Sequence, residues 1–162
     1  MRVHKALFAV PLALAACGAG NDGGTGDGGT GDGGGRKAAP KPAPATTVTV
    51  ADSGLGSILV DDKGRTLYAF TKDKAAESTC DAACIAVWPA LTGPSPAAAG
   101  PGVEAALLRE ARNPGGAVHV TYGDWPLYYY VGDAAPGDVN GQGLDGAWFA
   151  VAPDGKLVRR TP

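Results

Sequence analysis

The sequence predicts a mainly β domain, an antiparallel sheet of two tandem pseudo-symmetric repeats with one or two short helices. The stretch 67–73 returns sixty residues later as 127–133, and both copies read Leu-Tyr-x-aromatic-x-x-Asp. The match extends without a gap to Trp88 and Trp148. β-Branched and aromatic runs bounded by Gly, Asp and Pro surround both copies. A repeat of this kind indicates that each copy leaves an apolar face for the other to cover.

The start of the chain is typical of a secretory signal. Arg2 and Lys5 precede an apolar run at 6–16 that is too short to span a bilayer. The run ends in Leu-Ala-Ala-Cys, the lipobox pattern, which predicts a signal peptide at 1–16 and lipidation of Cys17. Several acyl chains such as palmitate would anchor this residue stably, because each buried CH₂ contributes about 0.8 kcal/mol. The alternative is an ordinary signal peptide with a chance cysteine.

Residues 17–46 are expected to form a disordered linker. Gly, Asp and Thr dominate its first half, and Lys, Ala and Pro its second, so neither half can bury a core. By random-coil scaling, the linker places a domain about 30 Å from the anchor. The folded domain is expected at 47–162, with repeats at about 50–92 and 113–160. Its thirteen acidic and nine basic side chains argue against nucleic-acid binding, which needs a clustered basic surface.

The first repeat alternates strand-like runs with turn residues. Strands are expected at 46–50, 57–60 and 66–71. The Asp-rich loop 61–65 is typical of a hairpin, in which Gly64 supplies the positive φ. A short helix is expected at 81–87, with Ser78 or Thr79 as its N-cap.

The second repeat is expected to be more irregular. Strands are predicted at 117–122, 126–131, 147–151 and 156–160. A tight turn at 123–124 should join the first two, and a turn at 153–155 the last two. The Gly-rich stretch 136–143 is expected to be an ordered loop. Between the repeats, apolar residues at helical spacing predict a helix at 103–111.

The paired motifs resemble those of the bacterial secreted-repeat lipoproteins with the Yx(F/W/Y)xxD motif. The motif residues are Tyr68, Phe70, Asp73, Tyr128, Tyr130 and Asp133. Cys80-x-x-x-Cys84-x-x-x-Trp88-Pro89 adds to the likeness, which covers nearly all of 50–153. The resemblance implies a protein of the bacterial cell envelope, outside the cytoplasm. It implies no reaction, and therefore no catalytic residue and no cofactor.

Cys80 and Cys84 are the cysteines that remain after lipidation of Cys17. In an oxidising compartment they are expected to form a disulfide, which would distort or cap a short helical turn. A reducible redox pair and a metal site are the alternatives. The motif that indicates a redox-active pair is Cys-x-x-Cys, and the spacing of Cys80 and Cys84 is one residue longer.

The motif carboxylates Asp73 and Asp133 follow their strands. Each is expected to accept backbone N–H bonds in the turn that follows, as Asp often does at the end of a strand. The alternative is a carboxylate pair for acid–base catalysis, which requires the two to lie close together.

Two further groups suggest metal binding only weakly. His119 is the one histidine of the mature chain, and a lone His in a strand does not make a zinc site. The run Asp138-x-Asn140-x-Gln142-Gly143 resembles the start of a calcium loop, but Phe149 stands where a bidentate Glu belongs. The sequence therefore predicts no metal and no cofactor.

Aromatic residues crowd the second hairpin. Because strand side chains alternate, Tyr68 and Phe70 should share one face of the sheet. Tyr129 should then face the opposite side, where it and the neighbouring Trp125 are a candidate binding surface, with core packing as the alternative. These features predict a lipoprotein on the cell membrane that binds or scaffolds an envelope protein or a glycan, and they favour a role without enzymatic activity. The rival is a redox or electron-transfer accessory that uses Cys80 and Cys84.

Overall fold

The computed structural model describes residues 46–93, 96–112 and 116–161. The predicted signal peptide, Cys17 and nearly all of the predicted linker lie outside the described residues. The elements are β1 (Thr47–Ser53), β2 (Gly56–Asp61), β3 (Tyr68–Phe70), α1 (Ala82–Val87), β4 (Ala98–Ala99), β5 (Leu108–Arg112), β6 (Val118–Tyr122), β7 (Trp125–Pro126), a 3₁₀ turn (Leu144–Gly146) and β8 (Trp148–Ala150). The mainly β prediction is confirmed. Within these ranges, no helix has the length and apolar character needed to cross a membrane.

The strands form three small sheets. In the first, β1 lies between β2, to which it is antiparallel, and β4, to which it is parallel. In the second, β6 lies between β5 and β7, and both pairings are antiparallel. The third joins β3 to β8 in antiparallel register. All pairings but that of β1 with β4 are therefore antiparallel.

The two repeats meet where their motif tyrosines pair. Tyr68 N–H donates to the carbonyl of Tyr128 at 2.8 Å, and Tyr128 N–H donates back to the carbonyl of Tyr68 at 2.9 Å. An offset of sixty residues relates β1 to β5 and β2 to β6. A pseudo-twofold axis therefore passes between the two tyrosines, as expected for tandem repeats.

Two clusters of buried side chains lie on opposite faces of β3. Tyr68 packs into the first, which we call the aromatic core. Leu67 and Ala69 pack into the second, the aliphatic core. The aromatic core contains Leu55, Ile58, Val60, Tyr68, Trp88, Tyr128, Ala147, Trp148, Ala150 and Val158. The aliphatic core contains Val48, Leu59, Leu67, Ala69, Leu91, Val120, Tyr122, Leu127 and Val151. The alternation predicted for 67–70 is thus confirmed.

The helix predicted at 103–111 is wrong. Val103 and Leu107 donate to the carbonyls of Gly100 and Glu104 in single turns. The chain then enters β5, whose five residues each pair with a residue of β6. Pairing with a neighbouring strand overrides the weak local preference of this stretch for a helix.

The strands predicted at 126–131 and 156–160 are also wrong in extent. After β7, successive N–H groups pair with three different segments: Leu127 with Val120, Tyr128 with Tyr68, and Tyr129 with Pro89. No single ladder can form from such pairings. At 156–160 the structure shows one bridge, between Leu157 and Val151.

Helix α1 begins one residue later than predicted and has a different cap. Asp81 is the N-cap, and its carboxylate accepts the N–H of Cys84 at 2.9 Å. Ser78 and Thr79, the predicted caps, bond instead to residues of the repeat motif, as described below. The hydroxyl and the carboxylate are both good N-caps, so the sequence did not discriminate between them.

Candidate functional site

Each repeat supplies the tyrosine that satisfies the other repeat's aspartate. The hydroxyl of Tyr68 donates to Asp133 Oδ2 at 2.8 Å, and the hydroxyl of Tyr128 donates to Asp73 Oδ2 at 2.7 Å. Both bonds cross the pseudo-twofold axis. The first Tyr and the last Asp of the motif therefore form a reciprocal lock between the repeats.

The second oxygen of each aspartate holds the turn that follows its strand. Asp73 Oδ1 accepts the backbone N–H of Thr79 at 2.7 Å and its hydroxyl at 2.9 Å. Asp133 Oδ1 accepts the N–H of Asn140 at 3.0 Å. Asp73 is also buried, with 4% of its surface exposed. Its two oxygens are thus engaged away from solvent, which argues against the acid–base pair.

Burial keeps the two phenols of the lock in their protonated form. It raises the pKa of Tyr68 well above the usual value, and the hydrogen bond to Asp133 acts in the same direction. Burial likewise raises the pKa of Tyr128. Burial also raises the pKa of Asp133, although hydrogen bonds from Tyr68 and Asn140 oppose this. In the resting protein both tyrosines therefore act as hydrogen-bond donors to the aspartates.

Four aromatic rings stack in one file, which we call the aromatic ladder: Phe70, Trp148, Trp88 and Tyr130. The centroids of Trp88 and Trp148 lie 3.8 Å apart with planes 3° from parallel. Phe70 stacks on Trp148 at 4.3 Å, and Tyr130 lies on Trp88 at 4.5 Å. The order of the rings alternates between the repeats, so the ladder also joins them.

Cys80 and Cys84 form a disulfide across the N-cap of α1, with Cα atoms 5.3 Å apart. Both cysteines are half-buried against the aromatic core. Beside the disulfide lies an open pocket of about 280 Å³, which we call the ladder pocket. It is lined by Phe70, Lys72, Cys84, Val87, Trp88, Asp145, Ala147 and Trp148. The disulfide thus lies next to the stacked tryptophans.

A second pocket, the tyrosine pocket, lies at the other end of the ladder and measures about 220 Å³. It is lined by Arg65, Thr66, Pro89, Tyr129, Tyr130, Val131 and Asp133. Tyr129 thus occupies a pocket wall, half-buried. Trp125, its predicted companion, does not line this pocket and packs against the aliphatic core.

A buried carboxylate that the sequence analysis did not single out positions Tyr129. Asp61 accepts the hydroxyl of Tyr129 at 3.1 Å and forms an ion pair with Arg65 at 2.7 Å. The Arg65 guanidinium lies 4.0 Å from the centroid of the Tyr129 ring. Burial acts to raise the pKa of Asp61, but hydrogen bonds from Arg65 and Lys63 outweigh it and the pKa is lowered. In the sequence, the four-residue spacing of Asp61 and Arg65 in the hairpin loop is the feature that could have indicated this ion pair.

The candidate metal ligands serve the fold. His119 is buried, and its Nε2–H donates to the carbonyl of Leu127 at 2.8 Å. Asp138 accepts the N–H groups of Ala134 and Ala135. Gln142 bonds to the backbone of β8 and of the C-terminal segment. Among the described residues, no three His, Cys, Asp or Glu side chains group as metal ligands would.

Comparison with known proteins finds one family. The profile of a secreted repeat of unknown function matches residues 49–92 and 111–152. The matched segments end at equivalent positions of the two repeats, Thr92 and Ala152, and contain both halves of the reciprocal lock. No curated protein and no solved structure matches the chain significantly.

Proposed function

The chain belongs to a family of secreted repeats of unknown function, and from this premise we propose that it is a membrane-anchored envelope lipoprotein with a non-enzymatic binding or scaffolding role. The lipobox at Cys17 supports the anchor, and the composition of 17–46 supports a tether. A secreted family is consistent with a domain that works outside the cytoplasm.

One observation carries the binding role. In each motif aspartate, Oδ2 accepts a hydrogen bond from the tyrosine of the other repeat and Oδ1 accepts at least one from the turn that follows its strand. The tyrosine pocket, in contrast, remains open between Arg65 and Asp133. The motif therefore builds the scaffold, and two of its residues, Tyr130 and Asp133, line the proposed surface together with Tyr129.

The lining of the tyrosine pocket suits a ligand with both apolar and polar parts. Tyr129, Tyr130 and Val131 provide apolar area, and Arg65 and Asp133 provide opposite charges. Concave sites with a few polar groups among aromatic walls are typical of specific binding. An envelope protein segment or a glycan has this mixture of chemistry.

The anchor is tested by cell fractionation. Cys17→Ser should move the protein from the membrane fraction to the soluble extracytoplasmic fraction, because serine cannot carry the thioether-linked lipid. Retention of the variant in the membrane fraction would contradict the anchor. The folded domain should be unaffected.

The binding surface is tested by capture of envelope components on the purified protein. Val131→Asp and Tyr129→Ala should each weaken capture, because both change the lining of the tyrosine pocket. Val87→Asp is the matched control, since Val87 is also an exposed valine (43%, against 60% for Val131) but lines the ladder pocket. Trp125→Ala shows whether the surface extends to the neighbouring hairpin. Equal capture by Val131→Asp and the unmodified protein would exclude the tyrosine pocket.

The redox alternative has one observation in its favour. Cys84 lines the open ladder pocket, so a dithiol partner could approach the disulfide there. A reduction potential below about −300 mV would mark a structural disulfide, whereas one near about −200 mV would favour the redox role.

A further inference from the structure

Two of the most readily oxidised side chains of the protein are stacked face to face at an open pocket. The rings of Trp88 and Trp148 lie 3.8 Å apart and 3° from parallel, and both line the ladder pocket. A positive charge on such a pair is shared by two π-systems, which stabilises it relative to a single indole. A small one-electron oxidant in the ladder pocket would contact both rings.

The phenol of Tyr68, which is hydrogen-bonded to a proton acceptor, contacts this tryptophan pair. The ring of Tyr68 meets Trp88 edge-on with centroids 5.5 Å apart. Its hydroxyl donates to Asp133 Oδ2 at 2.8 Å, within the range in which a base takes a proton directly. Loss of an electron makes a phenol strongly acidic, so the carboxylate can take the proton in the same step.

From this arrangement, we propose that the domain is a one-electron relay, in which Trp88 and Trp148 pass an oxidising equivalent from the ladder pocket to the hydrogen-bonded pair of Tyr68 and Asp133. The oxidant gains one electron from the tryptophan pair, which becomes a radical cation. Tyr68 then donates an electron to this radical cation, while its O–H bond breaks and the proton moves to Asp133 Oδ2. The products are the reduced oxidant, a neutral tyrosyl radical and a neutral carboxylic acid.

The oxidant class is a small one-electron acceptor, such as an oxygen-centred radical outside the cytoplasm. One electron from a small reductant of the ascorbate class reduces the tyrosyl radical, the proton returns from Asp133 to Tyr68, and the reductant leaves in its one-electron-oxidised form. The relay requires no ligand in the tyrosine pocket, although Asp133 also lines that pocket, and it involves no change in the disulfide.

The symmetry-related carboxylate, Asp73, accepts one more hydrogen bond than Asp133. Asp73 accepts two hydrogen bonds from Thr79 besides that of Tyr128, whereas Asp133 accepts one from Asn140 besides that of Tyr68. Hydrogen bonds to a carboxylate favour its ionised form and lower its affinity for a proton. Burial raises the pKa of Asp133, which favours its role as the proton acceptor. The radical should therefore settle on Tyr68.

The test uses the purified full chain and, as a small one-electron oxidant, azide radicals generated by pulse radiolysis. Transient absorption and electron paramagnetic resonance should show a tryptophan radical that gives way to a tyrosyl radical. Tyr68→Phe should reduce the tyrosyl yield at least tenfold and prolong the tryptophan radical. Asp133→Asn, which retains an acceptor oxygen but is a poor base, should slow tyrosyl formation at least tenfold.

Tyr122→Phe is the matched control, because Tyr122 is equally buried but bonds to the carbonyl of Pro153 and has no ring contact with the ladder. It should leave the radical unchanged. An undiminished tyrosyl signal in Tyr68→Phe would place the radical elsewhere, for example on Tyr130, and overturn the proposal. Should both variants fail to fold, the unmodified chain decides, since tyrosyl formation must slow in D₂O; no isotope effect would also overturn the relay.

Discussion

Tyr128 and Asp73 lie 55 residues apart in different repeats, and their side chains meet in a buried hydrogen bond of 2.7 Å. The same bond recurs with the repeats exchanged, between Tyr68 and Asp133. A tyrosine in one copy is therefore useful only if the other copy supplies the aspartate. This dependence explains why the spacing Tyr-x-aromatic-x-x-Asp occurs twice in one chain.

The ladder should contribute much of the stability of the domain. Trp148 is buried between Phe70 and Trp88, so Trp148→Ala removes two stacking contacts and leaves a cavity. We expect a loss of about 3–5 kcal/mol in the free energy of unfolding, measured by urea denaturation. Trp125→Ala is the control and should lose less, because that ring is half-buried at the periphery. Similar losses in both variants would argue against a special role of the stack.

Acidification should destabilise the domain through His119. Burial lowers its pKa in the folded state below the usual 6.5, so it stays neutral in the fold. Between these two pKa values the unfolded chain binds more protons, and stability is therefore lost as the pH falls below about 6.5. The slope is at most about 1.4 kcal/mol per pH unit. In His119→Gln, the midpoint of thermal unfolding should depend less on pH between pH 7 and pH 5. An unchanged pH dependence would assign the effect to other groups.

The turn at 74–77 is strained and can be relaxed. Ala75 and Ala76 have φ values of 49° and 64°, which residues with a Cβ rarely adopt. The double variant Ala75→Asn with Ala76→Gly introduces an Asn-Gly pair, which favours this turn, and should raise the free energy of unfolding by about 1–2 kcal/mol. Ala83→Gly in α1 is the matched control and should lower it by about 1 kcal/mol. A loss of stability in the turn variant would show that the turn is not strained.

The carboxylate behind the tyrosine pocket should be needed for stability. Asp61 accepts hydrogen bonds from Lys63, Arg65 and Tyr129 and is buried. Asp61→Asn should lower the free energy of unfolding by about 2–3 kcal/mol, because Arg65 loses its charged partner. Its lowered folded-state pKa means that its contribution is present above about pH 4 and lost as the pH falls through that lower value. Asp62→Asn, its exposed neighbour, should change stability by less than about 0.5 kcal/mol.

The helix predicted at 103–111 followed local periodicity, although the sixty-residue offset held the better signal. The apolar spacing at 103–111 suggested a helix, yet the sixty-residue offset places β1 on 107–113, where β5 lies. Three or four apolar residues at helical spacing are a weak signal in a segment this short. The sixty-residue offset is a stronger signal, because it relates the strand pairing of one whole repeat to that of the other.

The candidate site was only partly predictable. Alternation along the strands placed Tyr68 and Tyr129 on opposite faces, as observed. The hydrogen bond from Tyr68 to Asp133 could not be predicted, because it depends on the order of the strands and not on the spacing of the two residues in the sequence. Asp61 and Arg65 were missed for a related reason: an Asp-rich loop normally indicates a solvated turn, and nothing local shows that Asp61 is buried beneath Tyr129.

The motif locks the two repeats together, and a double-mutant cycle on Tyr128 and Asp73 would measure the energy of that coupling. The unfolding free energies of Tyr128→Phe, Asp73→Asn and the double variant would be compared with that of the unmodified chain. Tyr130→Phe serves as the control, since it removes a motif-region hydroxyl without removing a cross-repeat hydrogen bond. We expect each single variant to lose about 1–3 kcal/mol and the pair to be coupled by at least about 1 kcal/mol. Additive losses, with no coupling, would contradict the lock.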